Sequence, residues 1–373
     1  MPTLSRADTS LLGRWWWSVD RWTLGAVGIL IGFGYVMMLA ASPAVAERIG
    51  SSRDLFILKQ VLFLALGGVT VVVVSLLTPR NIKRLAIVGC IFALCLTAAT
   101  LAVGVEIKGA RRWIALHGLA IQPSEFLKPC FAVVTAWLIS EGRRTPRFPG
   151  LLIAIAIFGL ILLLLKAQPD IGMMGVVVTV FLCQLYISGM NLFLVALGIG
   201  MMGGGAVMAY MLFPHVQSRV QHFLHPESGD TYQITTALEA FGNGGLFGRG
   251  PGEGRVKDVL PDAHADFVYA VAGEEFGMLV CLIILSVFAF IVLRSFLKLL
   301  KEQDLFSILA CSGLVSGFGL QAFVNMASAL ELVPTKGMTL PFISYGGSSV
   351  LAVALSLGML LGLTRRRHHG DVL

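Results

Sequence analysis

The sequence predicts a polytopic, all-α integral membrane protein, and three observations carry that reading. The chain of 373 residues is 56% hydrophobic and only 13% charged. Its mean hydropathy is +0.83. Soluble domains carry about a quarter charged residues, so this composition belongs to membrane proteins. Apolar runs recur along the whole length, many near the roughly 20 residues that span a bilayer as helix. The short alternating segments of a transmembrane barrel are missing.

Ten runs are read as spans: 22–42, 55–77, 86–104, 123–140, 151–165, 172–189, 192–213, 266–293, 306–328 and 344–363. They divide the chain into a cytoplasmic N-terminal tail (1–21), one integral domain (22–363) and a cytoplasmic C-terminal tail (364–373). The domain includes a long extracytoplasmic loop (214–265) between the seventh and eighth spans. The first run follows Arg6, Arg14 and Arg21, and Ala44-Val45-Ala46 has the form of a cleavage site. That run is longer than the apolar region of a signal peptide and further spans follow, so it reads as a retained helix. Trp15, Trp16 and Trp17 before it read as an interfacial anchor. Six cysteines fall inside the predicted spans without metal-ligand spacing, and imply neither a disulfide nor a metal.

Orientation follows from the basic residues. Of the 28 Lys and Arg, fifteen fall in the loops that share a side with the termini, eleven in the other loops and two (Lys59, Lys128) inside spans. The excess puts both termini in the cytoplasm. The outer cations are nonetheless clustered, with Lys108, Arg111 and Arg112 in one loop and Arg219, Arg249, Arg255 and Lys257 in another. Either short loops are statistically noisy, or the outer face holds an anionic ligand such as a lipid-linked phosphate.

Charges inside spans carry more weight, because they cost several kcal/mol unless paired or wet. In QPSEFLKP, Glu125 at a helix start and Lys128 at i+3 can pair on one face. Asp170 in KAQPDIG opens the sixth span. In PDAHADFVYAVAGEEFG, a helix beginning near Asp266 carries Glu274 and Glu275 about 12–13 Å further along. The two glutamates then sit about 80° and 180° round from the aspartate. At least one of them is expected to be a paired structural carboxylate, with His264 and Asp266 at the mouth. A rim carboxylate is a candidate general base, since partial desolvation raises its basicity. FGNGGLFGRGPGEG matches no nucleotide-binding motif and reads as a partly re-entrant loop. SYGGSS (344–349) opens the last span with small residues that allow close approach, and Gly200 and Gly204 read as helix packing or as a bendable gate.

Six segments, in order, resemble the signatures of the SEDS family (shape, elongation, division and sporulation). They are GARRW, QPSEFLK, QPDIG, YQITTALEAFGNGGLFGRGPGEG, LPDAHADFVYAVAGEEFG and KGMTLPFISYGGSS. Their form is more similar to the division branch, FtsW, than to the elongation branch. The resemblance implies a peptidoglycan glycosyltransferase that polymerises lipid II on the outer face of the bacterial inner membrane, at the division septum. It implies Asp266 as the catalytic aspartate, in a segment where Ala265 replaces the family's threonine. Lys59, Lys108, Arg111, Arg112, Glu125, Lys128, Asp170, His264, Lys336 and Ser344 are candidate substrate contacts. Glu274, Glu275, Gly346 and Gly347 are candidate supporting residues. His225-Pro226 stands where the family usually has an aspartate before proline, which weakens any role there.

On this reading Asp266 takes the proton from an acceptor hydroxyl, and cations stabilise the departing lipid diphosphate. Lys128 is expected to reach across and hold the Asp266 carboxylate ionised. A divalent cation, Mg or Mn, could share the diphosphate, although no ligand set calls for one. Implied partners are lipid II, a class B penicillin-binding protein with other division proteins, and membrane lipids, with no nucleic acid. A lipid II flippase and a non-catalytic division scaffold are the alternatives.

Overall fold

Within a bilayer no water is available to the backbone, so each spanning segment must satisfy its own amides and carbonyls. In the computed structural model the ten apolar runs accordingly form ten helices. The structure describes residues 10–48, 53–107, 110–116, 119–224, 232–260, 262–334 and 337–365. A short helix, α1 (Leu11–Ser18), precedes α2 (Arg21–Arg48), α3 (Arg53–Ser75) and α4 (Pro79–Val103). Strands β1 (Val105–Ile107), β2 (Ala110–Leu116) and β3 (Leu119–Ile121) form an antiparallel meander, the one sheet among the described residues. Then come α5 (Pro123–Arg144), α6 (Gly150–Ala167), α7 (Ile171–Ile187) and α8 (Leu192–Leu212). The long loop is not structureless: it holds α9 (Pro214–Leu224), α10 (Tyr232–Gly244) and α11 (Val256–Val259). The chain ends with α12 (Val268–Leu299), α13 (Leu305–Ala329) and α14 (Gly347–Leu363).

Seven of these helices are long and apolar enough to cross a membrane, and α7 and α14 are shorter apolar helices. The remaining run, the fourth, is α5, which carries Glu125, Lys128, Glu141, Arg143 and Arg144 and lies at the centre of the bundle. Most of its residues are buried between α4, α13 and α14. Several helix starts are capped by side chains. Thr78 precedes Pro79 and accepts from the Asn81 amide, Asp170 accepts from Met173, and Asp304 accepts from Ser307. Buried amides join the helices where apolar contact gives little drive. Gln184 on α7 donates to the carbonyls of Ala132 and Leu309 and accepts from Thr135, joining α5, α7 and α13.

At the end that carries the described chain termini, Asp20 is gripped by Arg294 at 2.8 and 2.9 Å and by Lys298 at 2.9 Å. Burial would raise its pKa, but these hydrogen bonds and that of Thr23 outweigh it and hold the carboxyl well below the usual range. Trp15 is not an interfacial anchor. It is buried and its indole donates to Ser75 Oγ at 2.8 Å, whereas Arg21 lies over the rings of Trp16 and Trp17. Within this chain Gly200 and Gly204 pack against no neighbouring helix: a β-carbon at either would meet nothing within 4 Å. Only 11% of the apolar stretch of α8 is buried, against 61% for α13, so α8 stands at the edge of the bundle.

One helix is broken. Inside α12, Gly277 adopts φ 80° and ψ 177°, a region open essentially to glycine alone. The break frees backbone groups that the glycine-rich segment 245–250 then satisfies. Arg249 and Gly250 amides donate to Glu274 and Glu275 carbonyls at 2.9 and 3.0 Å. Met278 and Leu279 amides donate to Gly245 and Leu246 carbonyls at 2.9 and 3.3 Å. The segment expected to be re-entrant is thus built into the helix break, and glycines at 244, 248 and 277 leave room for that approach.

Candidate functional site

The residues preceding α12 do not extend the helix. Asp262 adopts φ +53°, and the amides of Ala265, Asp266 and Phe267 all turn back to its carbonyl. Asp266 therefore sits in a tight turn, and helical rotation does not relate it to Glu274 and Glu275. The turn is bonded from several sides. Asn325 Nδ2 donates to the Asp266 carbonyl at 3.0 Å, and the Tyr345 amide donates to the His264 carbonyl at 2.9 Å. Ser344 Oγ donates to the Ala265 carbonyl.

Ser344 precedes α14, which starts at Gly347 rather than at 344 because residues 340–344 form a turn. In it, Ser344 Oγ accepts from the Leu340 amide and Phe342 has φ +62°. Gln60 on α3 donates to the Ser344 carbonyl at 3.2 Å. Gly347 allows this junction to lie against the Phe63 ring, where a β-carbon would collide. Gly346 lies beside Thr339. The Asp266 carboxylate lies against Gly337, at φ +61°, where a β-carbon would stand 3.3 Å from Oδ2. The His264 ring is 5.3 Å from that of Tyr345. Burial lowers the pKa of His264, partly offset by the nearby Asp262, and favours the neutral imidazole.

A second cluster gathers the other predicted charges. Side chains alternate along a strand, so Arg111 and Arg112 diverge. Arg111 faces Glu106 at 3.4 Å and is exposed. Arg112 reaches the other way, donating to Gln168 O at 2.9 Å and to Pro169 O, with Asp170 at 3.7 Å. All three of its nitrogens are engaged, so a structural clamp is the better reading of Arg112. Gln122 donates to Asp170 at 3.3 Å, and its amide donates to Ser348 Oγ at 3.0 Å. Glu125 and Lys128 pair at 2.8 Å with both side chains nearly buried.

The expected Lys128–Asp266 ion pair is not formed. Lys128 Nζ lies with Glu125 and donates to Gln321 Oε1 at 2.6 Å, because both partners lie closer along α5 and α13. Gln321 in turn donates to Thr339 O at 3.0 Å and to Ser349 Oγ at 3.2 Å. A single amide side chain, Gln321, and not a salt bridge, connects the lysine to the segment facing the aspartate.

Glu274 and Glu275 are both buried and both structural. Glu274 accepts from the amides of Arg255 and Val256 and faces Arg249 at 3.6 Å. Glu275 accepts from the Gly252 amide and pairs at 2.7 Å with Lys257, which also donates to the Ala40 carbonyl. They tie the long loop to α12 and α2. Lys59 is exposed on α3, next to Gln60. Lys108, Lys336, His225 and Pro226 lie outside the described residues. Among the described residues no three His, Cys, Asp or Glu side chains converge as a metal site.

A profile of the cell cycle protein family of FtsW, RodA and SpoVE matches residues 21–369. The chain belongs to this family. A probable peptidoglycan glycosyltransferase FtsW of Caulobacter vibrioides is 43% identical over 365 residues, covering 97% of this chain and 93% of the relative. Its namesake in Trichlorobacter lovleyi is 34% identical over 348 residues, covering 90% of each chain. Among solved structures, the rod shape determining protein RodA of Thermus thermophilus is 26% identical. It superposes with a TM-score of 0.69, over 94% of this chain and 97% of its own. A chain from a peptidoglycan synthase complex, described as coordinating polymerization and crosslinking, is 26% identical. Its TM-score is 0.76, over 93% of this chain and 97% of its own.

Membership in the FtsW, RodA and SpoVE family and the ten-helix bundle together make this an integral membrane protein. Its polar centre includes residues that a search for charges overlooks: Gln60, Gln122, Gln168, Gln321 and Asn325. The signal was present, since Gln321 and Asn325 stand one turn apart in a span that holds no charged residue and no other amide.

Proposed function

We propose that this chain is a peptidoglycan glycosyltransferase that polymerises lipid II into glycan strands during cell division. Asp266 is the general base, taking the proton from the acceptor sugar's 4-hydroxyl as it attacks the anomeric carbon of the donor. The lipid diphosphate leaves with inversion, so no covalent enzyme intermediate is needed. The observation that carries this reading is the placement of Asp266: a carboxylate on a turn bonded from α13 and from the 340–345 segment, with its oxygens against Gly337. A base held on rigid elements is what general-base catalysis requires. The names of the curated relatives support the same activity.

Lys59, Lys108, Arg111, Lys128 and Lys336 are proposed to provide positive charge for the diphosphate, with Glu125 orienting Lys128 through their ion pair and His264 lining the site as a neutral imidazole. Ser344 and Asp170 act by shaping the site, and Arg112 by holding the hairpin. Mg or Mn accompanying the diphosphate would neutralise charge on the leaving group, although among the described residues no three His, Cys, Asp or Glu side chains converge to hold it. The chain lies in the bacterial inner membrane with both termini cytoplasmic, the site on the periplasmic face and the protein at the septum. A class B penicillin-binding protein is the proposed crosslinking partner, a reading that the match to a synthase complex supports.

The test is polymerisation of lipid II by the purified chain in detergent, alone and with that partner. Glycan product without a sealed membrane supports a polymerase and excludes pure transport. Lipid II left unpolymerised under both conditions would overturn the proposal.

A further inference from the structure

Gln321 and Asn325 lie four residues apart on α13, so they share one face. Both are almost fully buried. An amide side chain offers two N–H donors, and Asn325 directs both to main-chain carbonyls, those of Asp266 at 3.0 Å and of Met338. Gln321 holds the next residue, donating to Thr339 O at 3.0 Å. Thus the Asp266 backbone is bonded to α13, and the segment its carboxylate faces is bonded to the same helix face. The polar amide Gln184 has a different pattern, bonding only helix carbonyls and Thr135. That is interhelical adhesion. Both bonds of Asn325 go instead to the two non-helical segments that flank the carboxylate.

We infer that Asn325 is a positioning residue for Asp266, with Gln321 fixing the facing segment. The inference rests on Asp266 being the base. Without the Asn325 donors two buried carbonyls lose their partner, and the turn must shift to find others. A shift of about 1 Å in a reacting group can cost about 10²-fold in rate. Substrate affinity is set elsewhere, by the cations, and is untouched.

The experiment measures kcat and KM for lipid II, together with melting temperature, on purified full-length proteins. Asn325→Leu, once folded, is expected to lose about 10- to 100-fold in kcat with KM within about twofold. Gln184→Leu is expected to lower the melting temperature and leave the kcat of the folded protein unchanged. Asn325→Asp keeps the shape, and its acid donates one bond when protonated and none when ionised. Its kcat relative to wild type should therefore rise as pH falls, which a purely structural role would not produce. Wild-type kcat in folded Asn325→Leu overturns the inference. If that variant does not fold, a pH-independent ratio for Asn325→Asp overturns it. Asp266→Asn run in parallel separates the two claims. Its full activity would remove the base itself, whereas inactive Asp266→Asn beside fully active Asn325→Leu would remove only the positioning role.

Discussion

Replacing Gly277 by alanine tests the broken helix, because the backbone there forbids any side chain. The conformation, φ 80° and ψ 177°, costs a non-glycine residue about 1–3 kcal/mol. A β-carbon would also stand 2.4 Å from the Gly248 nitrogen and 2.5 Å from the Leu246 oxygen. Both are main-chain atoms, so no rotamer change relieves the clash. The segments must part, and four hydrogen bonds cross that seam, from Arg249, Gly250, Met278 and Leu279. Losing two of them at about 0.5–1.5 kcal/mol each adds about 1–3 kcal/mol. The expected loss is about 2–6 kcal/mol, or roughly 4–12 °C at about 2 °C per kcal/mol. The matched control is Gly200→Ala on α8, where nothing lies within 4 Å. There alanine should be neutral or stabilising by up to about 1 kcal/mol. Melting the two variants and wild type in one detergent decides it, with hydrogen exchange at 245–250 as a local readout. Equal melting temperatures for Gly277→Ala and Gly200→Ala would refute the reasoning.

Three further outcomes are expected. In a double-mutant cycle by thermal melting, Lys128→Met and Glu125→Gln should couple by at least about 1 kcal/mol, since each leaves the other's buried charge uncompensated; additive losses would contradict the pair. Arg112→Gln should lower stability by about 2 kcal/mol or more through its three contacts, whereas the exposed Arg111→Gln should stay within about 0.5 kcal/mol; melting curves of equal shift would contradict that division. His264 has a folded pKa depressed below its usual 6.5, so the unfolded chain takes up its proton first as pH falls. Its contribution to stability is therefore complete above pH 6.5 and declines below it, and His264→Gln should flatten the dependence of melting temperature on pH in that acid window.

The spans were legible because bilayer thickness demands about 20 apolar residues each, and no tertiary contact alters that requirement. Their ends at the site were not. A helix starting at Asp266 fits the apolar pattern, but the bonds that turn the chain at Asp262 come from its own carbonyl and a positive φ. The hairpin escaped notice because its strands run only three to seven residues. Glu274 and Glu275 were readable as paired carboxylates, since buried charges need partners, yet nothing local pointed to Lys257 or Arg249. Arg112 with Asp170, and Lys128 with Gln321, are contacts between distant stretches of chain that spacing cannot reveal. Attention to charge also passed over the amides. In a membrane interior, where full charges are costly, amides carry much of the precise placement around Asp266.

The account depends most directly on the carboxylate of Asp266, and one rate comparison tests it. Asp266→Asn retains the side-chain shape and the backbone bond from Asn325, but loses the proton acceptor. Turnover of lipid II by the folded variant, with its partner present, should fall by about 10²-fold or more while its melting temperature stays close to that of wild type. Polymer formed at a near wild-type rate by well-folded Asp266→Asn would contradict the account.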